Sequence, residues 1–247
     1  MDFGRIVVMK VVGRSERISG VESMDKLVIE GLKDKLPVVP GINGKEEYFN
    51  SAVLVLLMQV NEEYHFVFEK RAANIRQAGE ICFPGGKFDP DQDVSFRDTA
   101  IRETVEELGV ASYKISIIGN LDTVVSSRGT TVDAFLGIID ISRLDDLQIN
   151  PAEVERIFTI PVSYFENNEP EAYKVNMTVN PSYVNEAGKE VISFPTRELG
   201  LPERYTKPWG NVMSNVFVYR VEGVAIWGLT ARLIRDVVAK LKSISAI

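Results

Sequence analysis

The chain is read outward from Glu80-Ile81-Cys82-Phe83-Pro84-Gly85-Gly86, which is followed after fifteen residues by Arg102-Glu103-Thr104-Val105-Glu106-Glu107-Leu108-Gly109-Val110. Residues 80–83 have the composition of a short strand, which Pro84-Gly85-Gly86 stops. Residues 95–108 predict a helix, with Ser95 as N-cap and Gly109 at the C-terminal stop. On that helix Glu103, Glu106 and Glu107 fall at i, i+3 and i+4, on one face and within about 5–6 Å of one another. Three carboxylates so placed repel unless a cation lies between them, and hard divalent ions take carboxylate and phosphate oxygens alike. Arg102 is one residue ahead of Glu103 and one turn from Glu106, where it orients or partly neutralises the cluster. A bare EXXEE string is usually a solvated face, and a bare Gly-Gly is usually a turn. The placement of a glycine loop between strand and acidic helix gives the pair meaning, because glycines let backbone pass close to a ligand and offer it a carbonyl.

The flanking pattern is of alternating strands and helices. Ser51 to Met58 is an apolar strand run, and the polar break Asn61-Glu62-Glu63 leads into the alternating strand Tyr64 to Phe68, so the two predict a hairpin. Strands are expected at roughly 113–125 and 131–139. A loop carries Glu153 and Glu155 into a strand over residues 156–160. Residues 170–210, rich in Pro, Asn, Gly and charge, predict a hairpin-and-loop insertion. A strand over 215–219 turns at Glu222-Gly223, returns through 224–227 and enters a helix with apolar positions Leu229, Leu233, Ile234, Val237, Val238 and Leu241. Residues 22–36 predict a short helix ahead of a Pro/Gly-rich loop. The whole indicates an α/β or α+β fold in a single domain over 1–247, with 1–34 as an N-terminal extension.

Composition narrows the chemistry. The chain is 45% apolar and 26% charged, ordinary for a globular protein. Its single cysteine, Cys82, rules out an intrachain disulfide and a Cys-rich zinc site, and its single histidine, His65, reads as a strand residue facing solvent or an edge. Carboxylates and a metal are therefore left to carry any catalysis. The net charge of −7 argues against a nucleic-acid partner. No apolar run reaches the roughly 18–20 residues that span a bilayer, and the stretch over 1–13 is short and interrupted by Lys10, so a cytoplasmic address is expected.

Residues 85–110 resemble the Nudix box, G, five residues, E, seven residues, then R-E-aliphatic-x-E-E-x-G-aliphatic. Arg102, Glu103, Glu106, Glu107, Gly109 and Val110 fill its second half, with Thr104 at the aliphatic slot. In the first half Gly86 lies two residues early and Val94 stands where the family has Glu. Arg71-Ala72, Arg76, Gly79 and Phe83-Pro84-Gly85-Gly86 are similar to the motif preceding the box in coenzyme A pyrophosphatases. There the spacing from Arg76 to Gly79 is one residue short and a common His is missing. Asn150-Pro151-Ala152-Glu153-Val154 with Pro161, and residues 226–232, resemble that branch's later landmarks.

The resemblance implies a Nudix-type α/β/α sandwich with a central mixed sheet and a C-terminal helix. It implies Mg²⁺ or Mn²⁺ held by Glu103, Glu106, Glu107 and the Gly85 carbonyl, and hydrolysis of a diphosphate linkage, with coenzyme A giving 3′,5′-ADP and 4′-phosphopantetheine. Glu103, oriented by Arg102, is the first choice of general base and Glu153 the second; Arg71, Arg76, Lys87 and Gly86 face the substrate. ADP-ribose or another nucleoside diphosphate derivative is the alternative substrate, and a non-catalytic nucleotide-binding module the alternative of another class. An isopentenyl diphosphate isomerase needs a catalytic cysteine, and Cys82 lies outside that context. The expected partner is a small nucleotide, with neither nucleic acid nor membrane; a homodimer stays open, as do the roles of residues 1–20 and of the insertion.

Overall fold

The computed structural model describes residues 30–127 and 129–245, so the expectations for residues 1–20 and for the start of the helix over 22–36 lie outside the described residues. The chain divides into two compact units, residues 1–43 and 44–247. In the first, the described residues form a helical turn over 30–32 and the 3-10 turn Lys33–Lys35, then an irregular segment with bends.

In the second unit the expected hairpin is present. Strand β1 (Phe49–Val60) pairs antiparallel with β2 (Glu63–Arg71). Asn61 and Glu62 join them, both at positive φ, the two-residue turn whose twist matches that of the strands. The expected strand at 80–83 narrows to β3 (Ile81–Cys82), which pairs antiparallel with β2. The glycines that follow are not a loop. Gly85–Lys87 form strand β4, antiparallel to β1, with Ala52 opposite Gly86 and Val53 opposite Gly85. The reason is steric: a Cβ on Gly85 would come within 2.3 Å of the Ala52 carbonyl oxygen, so only glycine lets this strand lie so close to β1.

Helix α1 (Phe96–Leu108) has the expected ends. Ser95 is its N-cap and accepts the Asp98 amide; Gly109 takes the left-handed conformation. The expected strand at 113–125 is broken instead into a 3-10 turn over 112–114, β5 (Ile115–Asn120) and β6 (Val124–Ser126), each pairing with β7 (Thr130–Ile139). Strand β7 runs parallel to β1, which makes the eight-stranded sheet mixed. Strand β8 (Val154–Pro161) pairs with β2 and includes Glu155, which was expected on the loop before it. The short helix α2 (Val162–Asn167) follows.

The segment 170–210 is only partly an insertion. Strands β10 (Ser182–Val184) and β11 (Glu190–Ile192) make the expected hairpin. Strand β9 (Glu171–Val179), however, joins β12 (Trp209–Val221) and β13 (Val224–Trp227) in a second, three-stranded sheet. The β12–β13 turn falls at Glu222-Gly223 as expected, and the C-terminal helix α3 (Gly228–Ser245) follows.

The continuous apolar run of β1 is explained by helices on both sheet faces. Leu54, Leu56 and Met58 pack with Val67 against Ala100 and Leu108 of α1. Val55 and Leu57, with Phe66 and Phe68, pack against Phe165 of α2 and Leu233, Ile234 and Val237 of α3. Each such side chain, fully buried, contributes roughly 1.5–3 kcal/mol. Leu229, expected on the buried face of the last helix, is instead exposed. The arrangement is the α/β/α sandwich, and it leaves the C-terminal half of α1 lying over β4.

Candidate active site

The last turns of α1 place its acids against the glycine strand. Glu107 is 3% exposed, and its Oε2 accepts the Gly85 amide at 3.0 Å. Glu103 lies over Gly86 so closely that a Cβ there would meet the Glu103 carboxyl carbon at 2.3 Å. Gly86 thus acts by leaving room for the carboxylate. Thr104, at the aliphatic slot of the box, is fully buried without penalty because its hydroxyl donates to the Ala100 carbonyl one turn back, at 2.7 Å.

Arg102 organises the acids, and it is itself held from elsewhere. Its Nη1 donates to Glu103 Oε1 at 2.9 Å and to Glu106 Oε2 at 3.1 Å. Its Nε and Nη2 fork onto Asp93, at 2.8 and 3.0 Å, and Nη2 also reaches the Lys87 carbonyl. Asp93 is buried and accepts in addition the Thr99 hydroxyl and the Asp89 amide. These donors, Arg102 foremost, hold its carboxyl well below the usual carboxylate range.

Strand β2 brings the remaining groups. Arg71 lies opposite Val154 of β8, and the Ala72 amide donates to the Glu153 carbonyl at 2.8 Å, so Arg71 and Glu153 are neighbours. Arg71 Nε donates to the Arg76 carbonyl. The side chains of Arg76 and Lys87 are exposed, and among the described residues no hydrogen bond or ion pair engages either. The structure therefore brings together Gly85, Gly86, Arg102, Glu103, Glu106, Glu107, Arg71 and Glu153, and leaves Arg76 and Lys87 pointing to solvent.

Two members of the site were not expected. Asp93 could have been read from its position two residues ahead of the N-cap, where an acid faces the helix start. Glu69, 1% exposed, is a carboxylate that continues the apolar strand Phe66-Val67-Phe68. The acids are electrostatically crowded. Burial is the main force holding Glu107 above the carboxylate range, and repulsion from Glu69 adds to it. Burial likewise raises Glu69, against a hydrogen bond from Cys82 and the charge of Arg71. Glu103 is raised by burial too, with Arg102 opposing. Cys82 is half-buried against Glu69, and burial, with the Glu69 carboxyl beside it, pushes its thiol far up, which disfavours the thiolate.

The donor set, carboxylates and backbone beside a glycine strand, has the chemistry that hard divalent cations select. The buried Glu69 Oε2, which has no hydrogen-bond partner, also fits a cation. The expected convergence of the helix acids is not complete: among the described residues, no three acid, His or Cys side chains stand at the spacing of a finished metal cluster. Arg102 bridges Glu103 and Glu106, while Glu107 is engaged by the Gly85 amide.

A NUDIX domain model matches residues 49–176. The chain belongs to the Nudix family. Among curated relatives, Nudix hydrolase 3 of Caenorhabditis elegans is 38% identical over 118 residues, covering 46% of this chain and 48% of that one. The peroxisomal coenzyme A diphosphatase NUDT7 of Mus musculus is 33% identical over 115 residues, 46% of this chain and 48% of the relative. The mitochondrial coenzyme A diphosphatase NUDT8 of Homo sapiens is 34% identical over 127 residues, 50% and 53%. These alignments span about half the length of each relative. Among solved structures, an Ap4A hydrolase of C. elegans in a binary complex aligns at a TM-score of 0.38 and 21% identity, over 46% of this chain and 80% of that one. The names of NUDT7 and NUDT8 agree with the resemblance to the coenzyme A pyrophosphatase branch seen in Arg71-Ala72 and Phe83 to Gly86. Among the described residues, no helix is long and apolar enough to cross a membrane.

Proposed function

We propose that the protein is a divalent-cation-dependent Nudix pyrophosphatase whose substrate is coenzyme A or a derivative of it, cleaved to 3′,5′-ADP and 4′-phosphopantetheine. One observation carries the reading: Glu103 and Glu107 are packed onto the Gly85-Gly86 strand, with Arg102 locked between Asp93 and the helix acids. The printed activities of NUDT7 and NUDT8 support the choice of substrate.

In this reading Glu103, Glu106, Glu107 and the Gly85 carbonyl hold Mg²⁺ or Mn²⁺. Such an ion, when bound, draws charge from the diphosphate oxygens and makes water more acidic. Glu103 accepts the proton from the attacking water. Its burial raises its affinity for that proton, and the bond from Arg102 fixes which oxygen faces the substrate. Glu153, half-buried beside Arg71, is the second choice of base. Arg71 binds substrate phosphate through charge-assisted bonds, and the exposed Arg76 and Lys87 are free to swing onto the nucleotide. Gly86 leaves the room that the Glu103 carboxylate occupies.

The test is a product assay on purified protein with Mg²⁺ or Mn²⁺, comparing coenzyme A, ADP-ribose and NADH. Coenzyme A should be consumed fastest, with 3′,5′-ADP released. Rapid turnover of ADP-ribose beside intact coenzyme A would overturn the substrate assignment and keep the chemistry. Binding of these compounds with no turnover of any would favour a nucleotide-binding module.

A further inference from the structure

Among the described residues no counter-charge is in contact with Glu69. It sits on β2 between strands, opposite Cys82 of β3 and Ile157 of β8, and is almost wholly removed from solvent. Among the described residues its Oε1 accepts only the Cys82 thiol, at 3.1 Å, and a thiol is a weak donor. Its Oε2 is the single buried side-chain nitrogen or oxygen among the described residues that has no hydrogen-bond partner. Buried carboxylates persist where a cation or a full set of donors compensates them, and an uncharged residue would satisfy Cys82 equally well.

The surroundings indicate the missing compensation. Glu69 is within electrostatic reach of Glu103, Glu107 and Glu153, with Arg71 the nearby positive charge. The carboxyls of Glu69, Asp93, Glu103, Glu106, Glu107 and Glu153 outnumber the guanidiniums of Arg71 and Arg102. The strand pairing explains how Glu69 comes to be there. Its partner Cys82 is three residues before Gly85, whose amide Glu107 accepts, so the sheet carboxylate and the helix carboxylate meet one short segment of chain three residues apart.

We propose that Glu69 is a direct ligand of the divalent cation, a further carboxylate supplied by the sheet to the acids of α1. The inference rests on the metal-dependent reading above. It assigns the strand an active part in the site, where the helix motif alone would leave β2 as scaffold.

The test is calorimetric titration of the full chain with Mn²⁺, without substrate, for the wild type, Glu69→Gln and Glu107→Gln. Glu69→Gln should weaken Mn²⁺ binding roughly tenfold or more. The thermal midpoint of the metal-free variant should not fall, because glutamine still accepts the Cys82 thiol and removes a buried charge. Wild-type affinity in Glu69→Gln, with binding lost in Glu107→Gln, would overturn the role of Glu69 and leave the metal reading standing. A wild type that takes up no Mn²⁺ would overturn both. If Glu69→Gln does not fold, wild-type crystals soaked in Mn²⁺ decide: an anomalous peak with a Glu69 oxygen in its coordination shell supports the assignment, and a shell without Glu69 ends it.

Discussion

Asp93 receives Arg102 through two nitrogens at once, Nε at 2.8 Å and Nη2 at 3.0 Å, and the third nitrogen of that guanidinium carries Glu103 and Glu106. A residue in the linker ahead of the helix therefore sets the position of acids three turns along it. Replacing Asp93 with Asn should break the fork while keeping its size. The expected cost is about 2 kcal/mol, the order of a charge-assisted hydrogen bond, read as a lower urea midpoint. Turnover should fall further than stability explains, because Glu103 loses its orientation.

The same pair fixes a pH dependence. Asp93 ionises at lower pH when folded than its unfolded value of about 3.9. The stability it contributes is thus fully present above that unfolded value and is lost as pH falls toward the folded one. Urea midpoints of the wild type should decline as pH is lowered below about 4. In Asp93→Asn this part of the decline should be absent, and an identical slope in both proteins would refute the assignment.

Two glycines should respond differently to alanine. In Gly86→Ala the new methyl meets the Glu103 carboxyl, the end of a side chain that can move aside. Turnover should drop sharply with little change in thermal midpoint. In Gly109→Ala the methyl meets the Gln148 carbonyl oxygen at 2.0 Å in a left-handed backbone, at φ 62°. Backbone strain of about 1–3 kcal/mol should appear there as lost stability.

Among the helix acids, Glu107→Gln should reduce turnover roughly a hundredfold, as expected when support for a metal is removed. Glu106 is half exposed and, among the described residues, tied only to Arg102, so Glu106→Gln should cost less. Initial rates across a Mn²⁺ series for the two variants would show the order; a reversed order would shift the weight of metal binding to Glu106.

Arg71→Ala should raise KM for the nucleotide with little effect on the thermal midpoint. Lys70, its neighbour, pairs with Glu155 on the surface at 2.7 Å. Such pairs contribute little, so Lys70→Ala serves as a control whose KM stays at the wild-type value.

Much of this architecture was legible because local signals agreed with tertiary ones. Ser95 and Gly109 bound the acidic helix at the residues where capping chemistry places them, and Asn61-Glu62 turn where the apolar run of β1 gives way. Other features depend on contacts distant in sequence. The glycines form strand β4 because β1 lies alongside, which nothing within residues 84–87 announces. Strand β9 joins β12 some forty residues on, so a segment rich in Asn and Pro still contributes a sheet strand. Glu69 escaped notice because alternation describes a strand with one wet face, and β2 at that point is covered on both. The partners of Arg102 were divided similarly: the helix spacing indicates Glu103 and Glu106, whereas Asp93 reaches it only by the fold of the linker.

The segment after β7 returns to α1 and ties itself to the helix end: the Gln148 amide donates to the Leu108 carbonyl and the Asn150 amide to that of Glu107. Glu153 follows three residues later, so it is moored to the same peptide units that bear the acids. A tilt of the helix would carry both contenders for the proton along with it. On the proposed mechanism, competition between Glu103 and Glu153 is thereby reduced to basicity and reach at a shared anchorage.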